Sequence, residues 1–192
     1  MIKENVKTTL LSKLVTHTKL NDIFWILSFT VLTAVAAQIT IPVKPVPFTL
    51  QTMMVLLSGA FLGSKKGAYS QIAYLAAGVM GLPVFAQIPD GMIGFARLFG
   101  PTGGYLLSFP LAAFVAGYMT EKNKSYISFV FSLFLSNMLI LLVGSLYLGA
   151  FFLGNIVEAI KQGMIVFLLW EIVKVFAAAS IYYGVFKNIS KK

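Results

Sequence analysis

GLPVFAQIPDGMIGFARLFGPTGGYL, residues 81–106, interrupts an otherwise apolar chain with a long irregular stretch. It carries three prolines, the sole arginine, Arg97, and Asp90, one of six acidic residues. Loops longer than about 12 residues are usually functional or disordered. The aromatic and aliphatic content here argues against disorder. A binding loop is the expected reading. At its end, Pro101 fixes one backbone angle, Thr102 offers a cap, and Gly103-Gly104 free the chain before a helix expected to start at Tyr105 or Leu106. A helix N-terminus presents unpaired N–H groups and a partial positive charge, so with Arg97 nearby the site suits an anion such as a carboxylate. A tight turn between two helices is the alternative reading. The stretch lacks G-x-x-x-x-G-K-[ST] and is no nucleotide-phosphate loop.

Composition sets the surroundings. The 192 residues are 58% hydrophobic and only 11% charged, with a mean hydropathy of +0.87. Soluble domains carry about 25% charged residues, so this composition predicts an integral membrane protein. With no cysteine there is no disulfide, thiolate metal site or cysteine nucleophile. The one histidine, His17, lies in the polar N-terminal segment, which removes histidine-based catalysis from the apolar body.

Residues 1–22 carry Lys3, Lys7, Lys13 and Lys19 among apolar residues at roughly helical spacing. They read as a short basic helix on an anionic membrane surface or as a solvated tail. A cleavable signal peptide ending near Ala34-Val35-Ala36 competes poorly, because the apolar run exceeds the usual length of about 7 to 15 residues. Six apolar segments follow, at 23–41, 48–62, 68–82, 105–119, 126–148 and 164–186. A span needs about 17 to 25 residues, so the second and third are short. Pro42, Pro45 and Pro47 force an extended loop after the first segment, and Gly63-Ser64-Lys65-Lys66-Gly67 reads as a basic turn after the second.

Charge tests this count. With a cytoplasmic N-terminus, the inner segments hold eleven basic residues: Lys3, Lys7, Lys13, Lys19, Lys65, Lys66, Lys122, Lys124, Lys187, Lys191 and Lys192. The outer loops hold three, Lys44, Arg97 and Lys161. The asymmetry predicts six spans with both termini inside, and puts the irregular stretches 42–47, 83–104 and 149–163 on one outer face.

Glu171 and Lys174 lie three residues apart on one helix face, inside an apolar run. Ionisable groups at membrane depth cost about 2.5 to 3.5 kcal/mol on insertion scales and mark functional sites by default; a self-satisfied ion pair is the competing account. Asn137, with Ser132 and Ser136 beside it, is expected to bond a neighbouring helix. Gln38, Thr49 and Gln51 flank the first outer loop and could line a pocket. Thr33, Ala34, Ala36 and Ala37 would admit another helix closely, from this chain or from a partner.

These residues resemble a known family. PVPFTLQT (residues 45–52), GLPVFA (81–86) and GPTGGYL (100–106) follow the order and spacing of the BioY family, the biotin-binding S component of energy-coupling factor (ECF) vitamin transporters. The resemblance runs from about residue 23 onward. It implies an all-α integral membrane protein of six transmembrane helices with the S-component fold and both termini cytoplasmic. Residues 1–22 would be the basic cytoplasmic segment and 23–192 the substrate-binding domain, in the cell membrane. It implies a non-enzymatic subunit for high-affinity biotin uptake, with no cofactor and no metal, working with an ECF transmembrane coupling protein and two cytoplasmic ATPases.

On that reading Glu171 accepts from the ureido N–H groups and Lys174 donates to the ureido oxygen. Arg97 and the start of the fourth helix suit the carboxylate, although which cation meets which end stays open. Gln87, Asp90, Thr49, Gln51 and Tyr105 are further candidate contacts, and Phe48, Phe85 and Trp170 candidate walls. The last third departs from the family. Residues 163–174, GMIVFLLWEIVK, stand where it often has a run like GVLPFIPGDLLK, so that Val166, Trp170 and Glu171 replace proline, glycine and aspartate. The longer acid and the bulky Trp170 are expected to reshape the pocket. Three other readings compete: in the same class, an S component for another small carboxylated vitamin such as lipoate; in different classes, an intramembrane enzyme, and a small channel or structural membrane subunit. The second lacks paired carboxylates or a serine–histidine couple, and the rich outer loops argue against the third. A reporter fused after Lys192 is expected to be cytoplasmic; a periplasmic or extracellular signal would overturn the topology.

Overall fold

The computed structural model describes residues 19–87, 91–122 and 125–189. The expected basic segment 1–22 therefore lies outside the described residues except for its last four, which open the first helix. That helix, α1 (Lys19–Gln38), stops before the proline-rich stretch. The chain there forms a two-residue antiparallel ladder, β1 (Thr40–Ile41) with β2 (Phe48–Thr49), in register Thr40 to Thr49 and Ile41 to Phe48. The prolines lie in the loop between, with a cis bond at Lys44–Pro45. The extended loop expected from the sequence is thus a small hairpin.

Two short helices follow, α2 (Gln51–Leu62) and α3 (Ser64–Val79). At 1.5 Å per residue, α2 is only about 18 Å long. The expected basic turn at 63–67 reduces to one residue, Gly63, at φ +81°. Ser64, Lys65 and Lys66 are already helical because the Glu121 carboxylate accepts the Ser64 backbone N–H at 2.9 Å and its hydroxyl at 3.2 Å, capping the helix from outside. Lys66 in turn pairs with Asp22 of α1 at 2.5 Å.

The loop 80–102 contains a short 3-10 turn, Gly94–Phe99, and leads into α4 (Gly103–Lys122). That helix starts two residues before Tyr105. Helix α5 (Tyr126–Leu148) has the bounds read from the sequence. The expected loop at 149–163 is instead mostly helical: a π-turn (Gly149–Leu153), a break at Gly154, α6 (Ile156–Ile160), a second π-turn (Lys161–Ile165) and α7 (Val166–Ile189). Asn155 makes the difference, since its side chain accepts the Glu158 N–H at 3.1 Å and caps α6. Among the described residues, four helical stretches, starting at Asn21, Gly103, Tyr126 and Ile156, are long and apolar enough to cross a membrane.

The helices pack around two apolar clusters. One, at the end that carries the hairpin and the loop, holds Tyr74, Phe85, Tyr105, Phe109, Ile140, Leu141 and Phe167. The other holds Phe29, Leu56, Phe129, Leu133, Val175 and Ala178. Thr33, Ala36 and Ala37 are buried within the chain, so they serve its own packing. Between α1, α2 and α3, the Gln71 amide donates to the Thr33 and Ser58 hydroxyls at 3.2 and 3.1 Å. Asn137 departs from expectation. Fully buried on α5 between Leu133 and Ile140, it has no hydrogen-bond partner for either amide atom among the described residues. Ser132 and Ser136 do not serve it because their hydroxyls bond back to the carbonyls of Ser128 and Ser132, at 2.7 and 2.8 Å.

Glycines set the closest helix approaches. A Cβ on Gly59 would lie 2.1 Å from the Ala113 carbonyl oxygen, and one on Gly117 would lie 2.4 Å from the Ser64 nitrogen. Backbone cannot yield as a flexible side chain does. Gly59→Ala should therefore lower the melting temperature of the purified protein, with a cost of about 1 to 3 kcal/mol typical of overpacking, whereas Gly184→Ala, with nothing within 4 Å, should leave it unchanged. Equal melting temperatures for the two variants would contradict this packing.

Candidate functional site: a polar cavity under the loop

Within the first cluster lies a cavity of about 50 Å³. The hairpin contributes Val46, Pro47 and Thr49 to it, α2 contributes Gln51 and Thr52, and the loop contributes Phe85, Ala86 and Arg97. Helix α4 presents Thr102 just before its start, then Tyr105, Leu106 and Phe109, a spacing that keeps them on one face. Leu141 comes from α5, and Phe167, Glu171 and Lys174 from α7.

The 3-10 turn carries Arg97 inward. The guanidinium is only 2% exposed, and its Nη2 donates to the Ala86 carbonyl at 2.6 Å, which ties the two halves of the loop together. Across the cavity, Lys174 Nζ donates to Glu171 Oε1 at 2.5 Å, to the Thr52 hydroxyl at 2.5 Å and to the Thr49 carbonyl at 3.0 Å. The Thr52 hydroxyl then donates to Glu171 Oε2 at 2.9 Å. All three ammonium donors are engaged. Each carboxylate oxygen accepts one of these bonds and keeps capacity for another. The pair is therefore self-satisfied, and it lines the cavity.

Neighbouring side chains fix this arrangement. Gln51 Nε2 donates to the Tyr74 hydroxyl at 2.5 Å, which donates to the Val84 carbonyl at 3.1 Å. The Thr49 hydroxyl bonds Gln51 Oε1 at 3.2 Å. Tyr105 donates to the Gly163 carbonyl at 2.8 Å, and its ring fills a slot where a Cβ on Gly144 would lie 2.2 Å away. Its hydroxyl is thus tied to the second π-turn, while its ring faces the cavity.

Of the expected site residues, Arg97, Glu171, Lys174, Thr49, Gln51 and Tyr105 line the cavity. Gln87 does not; it is exposed beyond the loop's buried residues. Asp90 lies outside the described residues. Gln38 is exposed, and its amide reaches the carbonyls of Pro83 and Phe85 at 3.4 Å, holding the loop rather than lining the pocket. Phe85 is a wall, as expected. Phe48 is absent from the lining; its ring packs on that of Phe167, with centroids 4.3 Å apart. Trp170 is 37% exposed and absent from the lining. Phe167, Glu171 and Lys174 repeat at four and three residues on one face, and Trp170, three residues after Phe167 and four before Lys174, sits at the edge of that face.

Thr52 and Thr102 were missed as lining groups. Thr52 follows Gln51, and only its distance to α7 reveals its role. Thr102 does not cap α4; its hydroxyl is buried without a hydrogen-bond partner among the described residues. No group of three metal-ligating side chains is found among those residues.

Comparison with known proteins fits this geometry. A crystal structure described as the S-component for biotin from an ECF-type ABC transporter matches 88% of this chain and 92% of that one, with a TM-score of 0.80 at 24% identity. The fold is that of a membrane-embedded S component. The BioY family's sequence model matches residues 7–191, and the chain belongs to the BioY family. The biotin transporter BioY of Thermotoga maritima is 41% identical over 153 residues, covering 80% of this chain and 88% of the relative. A probable biotin transporter BioY of Pyrococcus horikoshii is 37% identical over 163 residues, covering 85% and 94%.

The buried triad makes a sharp expectation. Lys174→Met strands the Glu171 carboxylate and should destabilise the fold by about 3 to 5 kcal/mol, whereas the double variant Lys174→Met/Glu171→Leu should recover most of the loss. Thermal unfolding in one detergent measures both. A double variant less stable than the single one would contradict the pairing.

Proposed function

We propose that this chain is the substrate-binding membrane subunit for high-affinity biotin uptake, and that the cavity between Arg97 and the Glu171–Lys174 pair is where biotin binds. The observation that carries the proposal is the convergence of these three buried charged groups on one cavity at the loop end of an S-component fold. The names of the two relatives point to the same ligand. The chain crosses the cell membrane six times with both termini cytoplasmic, the two short helices α2 and α3 counting as spans, and the cavity opens outward.

Biotin combines a ureido group, an apolar bicycle and a carboxylate, and the cavity offers a counterpart to each. Glu171 keeps acceptor capacity for ureido N–H groups. Lys174 reaches a ligand oxygen by exchanging one of its three present acceptors. The Arg97 fork and the start of α4 suit the carboxylate, with the Thr102 hydroxyl beside them. Phe85, Phe109 and Phe167 receive the rings. Thr49, Gln51 and Tyr105 hold these groups in place as much as they touch the ligand. The space is smaller than biotin requires, so the hairpin and the loop must part on binding, as lids over such sites do. Gln87 and Asp90, on the loop, are contacts that closure would bring in. No cofactor takes part.

Energy for release comes from an ECF module, a transmembrane coupling protein with two cytoplasmic ATPases. Its S-component relative comes from an ECF-type ABC transporter, and this chain carries no phosphate-binding loop motif of its own.

Titration calorimetry of the purified protein with biotin tests the site. Arg97→Ala and Lys174→Ala should each weaken binding by about tenfold or more, because truncation leaves a buried partner unsatisfied at about 1 to 3 kcal/mol. Lipoate should not displace biotin. Unchanged affinity in both variants, or binding of lipoate in place of biotin, would overturn the assignment.

A further inference from the structure

The loop that carries Arg97 has two unlike faces. Arg97 points into the cavity, whereas Ile93 is 78% exposed, Phe95 59% and Phe99 63%. The two phenyl rings meet edge to face, with centroids 5.0 Å apart. From residue 91 to residue 107, Arg97 is the only charged residue, so the outward face of this part of the lid has no charged group to solvate. A lid in contact with water would not place its largest apolar side chains outward in this way. The apolar surface continues on both sides of the lid, through exposed Met80 and Leu82 before it and through Leu107, Leu111 and Phe114 after it. The last three lie on α4, a helix long and apolar enough to span the bilayer. The lid's outer face is thus continuous with a surface that meets lipid.

We infer that Ile93, Phe95 and Phe99 seat the lid in the polar–apolar boundary of the phospholipid bilayer, which holds it down over the cavity. Aromatic and aliphatic side chains opposite a buried polar face are the pattern of interfacial anchors. Inside the protein the lid is held by the Arg97 bond to Ala86 and by the Tyr147 hydroxyl, which donates to the Leu98 carbonyl at 3.1 Å. Outside, lipid supplies the remaining contact. Lifting the lid to admit or release a ligand then means withdrawing two phenyl rings from the bilayer. The anchor rests on the membrane embedding of the chain; its consequence for ligand exchange rests also on the proposed biotin site.

The absence of cysteine makes the test direct. Ile93→Cys, Phe95→Cys, Phe99→Cys and the exposed reference Lys161→Cys are each spin-labelled in the full chain and reconstituted in phosphatidylcholine vesicles. At 93, 95 and 99, collisions with oxygen should exceed those with a water-soluble nickel chelate; at 161 the order should reverse. Labels at 95 and 99 that behave like the one at 161 would overturn the anchor. Shielding from both agents with spin–spin broadening would also overturn it, in favour of a second copy of this chain as the partner. In the same vesicles, Phe95→Ser/Phe99→Ser should release biotin about tenfold faster, and an unchanged rate would refute the lid's dependence on lipid. These positions are exposed, and the three independent single-cysteine variants keep the test decisive if one of them misfolds. Lipid contact at 95 and 99 without any biotin binding would leave the anchor standing and remove the ligand reading instead.

Discussion

A buried ion pair in an apolar membrane protein sets the terms for the rest of this molecule. Glu171 and Lys174 are each almost fully enclosed, in a chain with too few charges to spare any without a reason. Desolvating two such groups is favourable only when their geometry is good and their remaining donors and acceptors are met. Thr52 and the Thr49 carbonyl meet them. That requirement in turn fixes where α2 must begin, how close it must lie to α7, and why the hairpin has to fold back over both.

The short helices follow from the same constraint. Because α2 has only 12 residues, space remains above its N-terminus, and irregular backbone fills that space. Non-helical chain at such a depth is tolerated only where protein or a polar cavity satisfies it. Here Gln38, Tyr74, Arg97 and Tyr147 all take up loop carbonyls. Below, α2, α3 and α4 approach closely at Gly59, Gly67 and Gly117, as small residues allow between membrane helices.

Much of this was legible in the sequence, and the parts that were not have physical causes. Hydropathy found the long helices, with α5 given its bounds, and rarity singled out Arg97, Glu171 and Lys174. Periodicity could not have excluded Trp170, spaced three residues from Phe167 and four from Lys174; its exposure at the edge of that face is read only from the packing. The mostly helical stretch 149–165 was hidden because Gly149, Gly154 and Gly163 read as loop punctuation, whereas only Gly154 breaks the helix, and the Asn155 cap and two π-turns carry helical backbone on either side of it. The start of α3 at Ser64 depends on Glu121, 57 positions away, and Thr52 earns its role only from a helix 119 positions on. Partners so distant in the chain leave no local signal.

A structure of the purified chain saturated with biotin tests the central claim most directly. The account predicts ligand density enclosed between the Arg97 guanidinium and the Glu171 carboxylate, with the hairpin and the loop displaced to admit it. Density at any other place, with Arg97 and the Glu171–Lys174 pair holding their present contacts, would contradict it.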